Sequence, residues 1–314
     1  MNGTIHHEAV MPAELDKYLN VHNKKDGIFV DCTGGGGGHA EIVLRSITPK
    51  GRLLIIDRDA EAIARLQEKF KYNDNVTVFK ANFKDIDIVL DKLGICKVDG
   101  LYADFGMSSY QLYNDRRGFS FRKDGPLDMR MDAEGSLAAY DVVNGFSQEA
   151  IAKIIMKYGE DRFANRIADF IVKSRSINKI DSTVKLANII KEAIPKRHQK
   201  NQIHPATKTF QAIRIFINKE LEAIEFLVQK IDKITSIGGR VVFISFHSLE
   251  DRLVKEMLNY YAKDCICPVE YPVCICNKQK TFTILTKKPI SASPPEIQRN
   301  PLSRSAKLRA AERV

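Results

Sequence analysis

No run of apolar residues in the chain approaches the roughly 20 that a membrane-spanning helix needs, so no such span is expected. The opening, MNGTIHHEAVMPAELDKYL, lacks the basic-then-apolar order of a secretory leader, and the expectation is a cytoplasmic protein. Internal repeats are absent. Acids are missing from Pro195 to Lys219, where six Lys/Arg stand unopposed. They are scarce from Lys287 to Val314, with two Glu against seven Lys/Arg. Both stretches carry little apolar matter and read as surfaces that face phosphate.

What is present is a globular composition, 44% hydrophobic and 28% charged, in 314 residues. That length suits one large domain or two ordinary ones. The net charge of +10 fits an anionic partner such as nucleic acid, with plain solubility charge as the competing reading. Of six cysteines, Cys32 and Cys96 sit in apolar contexts and are expected as reduced core thiols. The other four, Cys265, Cys267, Cys274 and Cys276, form CICPVEYPVCIC. They could bind zinc as a tetrathiolate. They could equally be a reduced hairpin end, since the pairs are CxC rather than CxxC. No metal is assigned to the functional site.

The first hundred residues alternate strand and helix. GIFVD, GRLLIID, NVTVFKA and VDGLYAD read as strands, with helical HAEIVLRSI and AEAIARLQEKF among them. This alternation predicts an α/β fold with a parallel sheet covered on both faces. An Arg-, Asp-, Gly- and Phe-rich loop follows, then a helical stretch from Leu137 to Ile194. One long amphipathic helix is expected from Phe210 through Ile231. GGRVVFISF and HSLEDRLVKEMLNYY resume the α/β pattern. The predicted organisation is a discontinuous domain, 1–111 with 208–314, interrupted by a helical insertion at 112–207 that recognises RNA.

Five glycines in FVDCTGGGGGHAEIV separate the first strand from its helix. No Lys-Ser/Thr follows them, so a Walker phosphate loop is excluded. Gly35, Gly37 and Ala40 loosely satisfy a dinucleotide fingerprint. Asp31, Thr33, Gly35 and Gly37 fit the acid-x-Gly-x-Gly-x-Gly loop of S-adenosylmethionine sites, with Thr replacing the first glycine. Asp57 ends the second strand, where an acid accepts hydrogen bonds from ribose hydroxyls in either ligand class. Phe83 could pack on an adenine or belong to the core. Asp104 ends the fourth strand at the carboxyl edge of the sheet, where ligands sit.

From Asp104 the chain reads DFGMSSYQL and then DRRGFSFRKDGPLDMRMD. With DCTGGGGGHA, IDRD, HPATKTFQAIRIFIN, SFHSLEDR and NPLSRSAKLRAAER, it resembles, nearly end to end, the bacterial 16S ribosomal RNA (cytosine-N4) methyltransferase family, also called MraW or RsmH. The resemblance implies a class I, Rossmann-like, S-adenosylmethionine-dependent methyltransferase with a helical inserted domain. It implies methyl transfer to the exocyclic N4 of a cytidine in the decoding (P-site) region of 16S rRNA in the small ribosomal subunit. Carried over, the cofactor contacts fall on Gly37, Gly38, His39, Asp57, Phe83, Asp104 and Gln111.

Asp104 is the candidate to hold the cytosine amine, in Asp-Phe-Gly-Met where enzymes acting on such amines often carry Asp/Asn/Ser-Pro-Pro-Tyr. Phe119, Phe121 or Tyr110 could stack on the base. Arg116, Arg117, Arg122 and Arg130 could grip flanking phosphates, although half of them are expected to pair with Asp124, Asp128 and Asp132. His247 could line the site or cap a helix. Arg304, Lys307, Arg309 and Arg313 read as a flexible basic tail that orders on RNA. Two competing functions remain, an NAD-dependent oxidoreductase and a non-catalytic RNA-binding assembly factor. The sequence leaves the oligomeric state open, a homodimer included.

Overall fold

The computed structural model describes residues 8–199, 204–268, 270–271 and 273–314. Residues 1–7 of the opening and Lys200 of the basic stretch lie outside them. The chain divides into two compact units, Met1–Gly106 with Leu221–Val314, and Met107–Glu220.

The strands are β1 (Ile28–Asp31), β2 (Arg52–Asp57), β3 (Val76–Lys80), β4 (Val98–Asp104), β5 (Thr235–Ser245), β6 (Phe282–Ile284), β7 (Ile290–Ser291) and β8 (Lys307–Arg313). The helices of the first unit are α1 (Pro12–Leu19), α2 (Gly38–Ser46), α3 (Ala60–Lys69) and α4 (Ile86–Lys92). Those of the second are α5 (Ser109–Tyr113), α6 (Ala139–Gly145), α7 (Gln148–Gly159), α8 (Ala164–Ile177), α9 (Thr183–Ala193) and α10 (Thr207–Asn218). The chain then re-enters the first unit through α11 (Glu220–Val228), α12 (Ile231–Ile234), α13 (Ser248–Tyr261) and α14 (Pro294–Arg299). Among the described residues no helix is long and apolar enough to cross a membrane.

All eight strands form one sheet in the order β3-β2-β1-β4-β5-β8-β6, with β7 also paired to β8. β3 through β5 run parallel, while β8 is antiparallel to β5, β6 and β7. The first unit is therefore Rossmann-like. Strand order reverses between β1 and β4, and a ligand crevice opens beyond the carboxyl ends of strands at such a point.

Alternate side chains of each strand enter two separate cores. Val30, Leu54, Ile56, Leu101, Val241 and Phe243 meet α4, α11, α12 and α13. Phe29, Leu53, Ile55, Tyr102, Val242 and Ile244 meet α1, α2 and α3. Both faces being buried, the strands can be apolar almost throughout. The ends of α3 are set locally. Asp59 accepts the Glu61 N–H at 3.0 Å as its cap, and Lys69 closes its last turn.

Four expectations need correcting. The basic terminus is not a tail. β8 lies inside the sheet, with Leu308, Ala310 and Ala311 buried. The long helix is broken into α10, α11 and α12, with Lys219, at a left-handed φ of 50°, separating the first two. Cys96 is exposed, in the turn between α4 and β4, while Cys32 is buried. The units meet at 106/107 and 220/221 rather than at 111/112 and 207/208, since α10 packs on α7 and buries Phe210, Ala212 and Ile213 in the second unit. There α7, α8, α9 and α10 share a core with Phe119, Leu127, Met129 and Met131 from the preceding loop.

Candidate active site

Three parallel strands end on carboxylates: β1 on Asp31, β2 on Asp57 and β4 on Asp104. The glycine run turns just above them. The Gly34 N–H donates to the Ile56 carbonyl at 2.9 Å and the Gly37 N–H to the Gly34 carbonyl at 2.7 Å. At Gly34 a Cβ would lie 2.5 Å from the Ile55 side chain and 2.7 Å from that of Leu66, so the turn needs bare backbone to press on β2 and α3. Gly37 caps α2 with a left-handed φ of 74°, a conformation costly for other residues.

The turn is tied to its acids. The Gly35 N–H donates to Asp57 Oδ2 at 2.7 Å and the Asp59 N–H to Asp57 Oδ1 at 2.8 Å. The Thr33 N–H donates to Asp31 Oδ1 at 3.0 Å. Thr33 stands where the loop pattern has a glycine, and its hydroxyl accepts the Asp104 N–H at 2.7 Å, clamping the turn to the end of β4.

Electrostatically this is a crowded anionic cradle. Burial pushes Asp31 up to about 7, with nearby Asp57 adding to the rise. Burial likewise raises Asp57. Asp104 is raised well above the usual carboxylate range by burial, then by the negative charges of Asp31 and Glu250. Asp104 Oδ1 is buried without a hydrogen-bond partner among the described residues. Its Oδ2 lies 3.8 Å from His39 Nδ1. His39 Nε2 sits 2.7 Å from the Val10 carbonyl and so carries the proton, leaving Nδ1 to face Asp104. Burial lowers the pKa of this imidazole. Phe83 is half-buried, 5.8 Å from the Phe105 ring, which stacks on Phe243 at 5.6 Å.

The other expected contacts separate into exposed and committed side chains. Arg304 is exposed. Arg309 is not available to RNA: it is buried and forms a two-pronged pair with Asp251 at 2.7 and 3.0 Å. His247 caps α13, in a reciprocal arrangement with Glu250. Within the second unit, Arg116 and Arg122 are exposed. Arg117 is buried and donates to the Arg130 and Met131 carbonyls at 3.0 and 2.9 Å. Arg130 is paired through Nε and Nη2 with Asp128 and donates to the Gly135 carbonyl at 2.7 Å. Both are structural ties rather than phosphate grips. Phe119 is buried in the helical core, where no base can reach it. Phe121 packs on Phe210 and His204. Gln111 exchanges hydrogen bonds with Ser108 at the start of α5. In the basic stretch, Arg214 is buried and paired with Glu220.

The MraW methylase family model matches residues 4–314. The chain belongs to the MraW methylase family. It is 46% identical over 98% of its length to "Ribosomal RNA small subunit methyltransferase H" of Clostridioides difficile strain 630, covering 99% of that protein. A protein of the same name from Caldicellulosiruptor bescii is 49% identical, over 92% of this chain and 94% of its own. Another, from Geobacter sp. strain M21, is 44% identical over 98% of this chain and 99% of its own.

This MraW methylase uses S-adenosylmethionine, and the cradle fits that cofactor. Three buried or half-buried carboxylates and two partnerless oxygens, Asp31 Oδ2 and Asp104 Oδ1, suit a ligand bearing a sulfonium and an ammonium group. Sequence reasoning missed Thr33 as a clamp, because it registered only as a departure from glycine. It missed Asp59, whose N–H fixes Asp57. Its position two residues past the strand's acid, before a helical run, was the available signal.

Proposed function

We propose that this methylase transfers a methyl group from S-adenosylmethionine to the exocyclic N4 of a cytidine in the P-site region of 16S rRNA, in the small ribosomal subunit, in the cytoplasm. The observation that carries the reading is the polarity of the site: at the strand ends Asp31 and Asp104 present buried, acceptor-only carboxylate oxygens without partners among the described residues and no basic side chain, which favours a cationic ligand over the pyrophosphate of NAD. The names of the relatives support small-subunit rRNA as the substrate.

When bound, the cofactor supplies an electrophilic methyl group on a positive sulfur. Asp57 keeps acceptor capacity on both oxygens for the ribose hydroxyls, because each accepts one backbone N–H. Phe83 offers a half-buried ring edge for the adenine. Gly37 and Gly38 stay bare where Phe70, Leu66 and Ala9 press on the turn, and they and Gln111 are contacts that the family pattern assigns.

The cytosine amine is a poor nucleophile because its lone pair is delocalised into the ring. Alignment therefore supplies much of the rate. Asp104 Oδ1, lacking a partner, is the acceptor that holds an amine hydrogen. His39 Nδ1 lies 3.8 Å from the other oxygen and helps to fix the carboxyl in place, and the amine proton leaves to solvent once the methyl group has transferred, so no strong base is required. The target nucleotide must be single-stranded or flipped out for this contact. Arg116, Arg122 and Arg304, all exposed, are the side chains left to meet phosphates.

The test is methyl transfer to small subunits from cells lacking this protein, followed by mass spectrometry of the digested rRNA. N4-methylcytidine should appear with the protein and be lost with Asp104→Ala. Methyl on another base atom, or none, would overturn the reading.

A further inference from the structure

Between α13 and β6, residues 262–281 form a long segment with no helix or strand among the described residues. Such segments are uncommon inside compact domains unless something orders them. No core does so here: Val273 is 70% exposed and Ile275 68%. What the segment does bring together is sulfur. The Sγ atoms of Cys265, Cys267, Cys274 and Cys276 all lie within 4.8 Å of one another.

The ring has the size of one metal ion. Cys274 and Cys276 sulfurs are 3.5 Å apart, and those of Cys276 and Cys265 3.8 Å. Zinc–thiolate bonds of about 2.3 Å in a tetrahedron place sulfurs roughly 3.8 Å apart. A disulfide would need about 2.05 Å, and all four cysteines are free thiols. An iron–sulfur cluster, whose thiolates surround several irons, would need a wider ring.

The backbone is arranged for thiolates. The Ile266 N–H donates to Cys276 Sγ at 3.5 Å, the Cys267 N–H to Cys265 Sγ at 3.4 Å and the Ile275 N–H to Cys267 Sγ at 3.4 Å. Donors of this kind orient metal-bound ligands and stabilise their charge. Lys263, Lys278 and Lys280 flank the segment and offset the net negative charge of a metal tetrathiolate.

We propose that Cys265, Cys267, Cys274 and Cys276 bind one zinc ion as a closed, structural tetrathiolate that holds residues 262–281 in shape. Four protein ligands leave no open position, so the ion takes no part in methyl transfer. Binding deprotonates the thiols and releases their protons to solvent.

The test uses the full chain, purified under reducing conditions without chelator. Plasma mass spectrometry should find about one zinc per chain, falling to background in Cys267→Ser/Cys274→Ser. Cobalt(II) added to the metal-free protein should give the sulfur-to-metal and visible absorption of a tetrahedral thiolate site. Chelation should raise hydrogen exchange within 262–281 while S-adenosylmethionine affinity stays unchanged. Wild-type protein without metal, with the four thiols of Cys265, Cys267, Cys274 and Cys276 titrating freely and no cobalt spectrum, overturns the proposal. A mass deficit from disulfides in place of bound metal overturns it as well.

Discussion

Asp31 gives the sharpest electrostatic prediction. It is 1% exposed, and burial raises its carboxyl to about 7. A carboxyl whose folded pKa exceeds its unfolded value binds more protons in the folded state between those two values. Stability therefore falls as pH rises through that window, here from the ordinary aspartate value of 3.8 to about 7. The shift is about three units, or at most ~4 kcal/mol at about 1.36 kcal/mol each. Asp31→Asn should thus stabilise the cofactor-free protein at about pH 8, by a sizeable fraction of that amount, and hardly at all at about pH 4. Cofactor binding should go the opposite way. A cation favours the ionised carboxylate, so wild-type affinity for S-adenosylmethionine should fall roughly tenfold from about pH 8 to about pH 6. S-adenosylhomocysteine, whose sulfur is neutral, should respond less, and Asp31→Asn should weaken S-adenosylmethionine binding and flatten its profile. Calorimetric titration across pH and denaturant melts of both proteins read these quantities. A flat wild-type profile, or an Asn variant less stable at about pH 8, would refute the reasoning.

Three further predictions concern other parts of the molecule. Asp57→Ala should weaken cofactor binding about tenfold or more, since charge-assisted hydrogen bonds contribute about 1.5–3 kcal/mol; calorimetry giving unchanged affinity removes Asp57 from the site. Arg309→Ala should cost about 1.5–3 kcal/mol in denaturant melts by removing both charge-assisted hydrogen bonds to the half-buried Asp251 carboxylate, and should leave the salt dependence of subunit binding unchanged. Binding to small subunits should weaken steeply with salt, with a shallower slope in Arg116→Ala/Arg122→Ala; an identical slope in the variant would take those two side chains off the phosphates.

Much of the first unit was legible because its parallel strands are buried on both faces, which forces near-continuous apolar runs. β8 escaped notice for a related reason. KLRAAER buries two alanines and one leucine, and its central Arg309 is neutralised by Asp251, a partner 58 residues away in sequence. Charge is visible in a sequence, but its partner is not. Arg117 and Arg130 therefore read as phosphate grips until backbone carbonyls and Asp128 were found to hold them. The break at Lys219 carries no glycine or proline to announce it. At the cradle, Asp31, Asp57 and Asp104 followed from their places at strand ends. The roles of Thr33 and His39 depend on which strands lie side by side, and spacing along the chain does not encode that.

The claim beneath all of this is that an anionic turn holds a positively charged methyl donor. The most direct measurement is calorimetry of the full chain with S-adenosylmethionine and, separately, with NAD near neutral pH. Saturable binding of S-adenosylmethionine and no heat from NAD is the predicted result. Binding of NAD with none of S-adenosylmethionine would contradict the account.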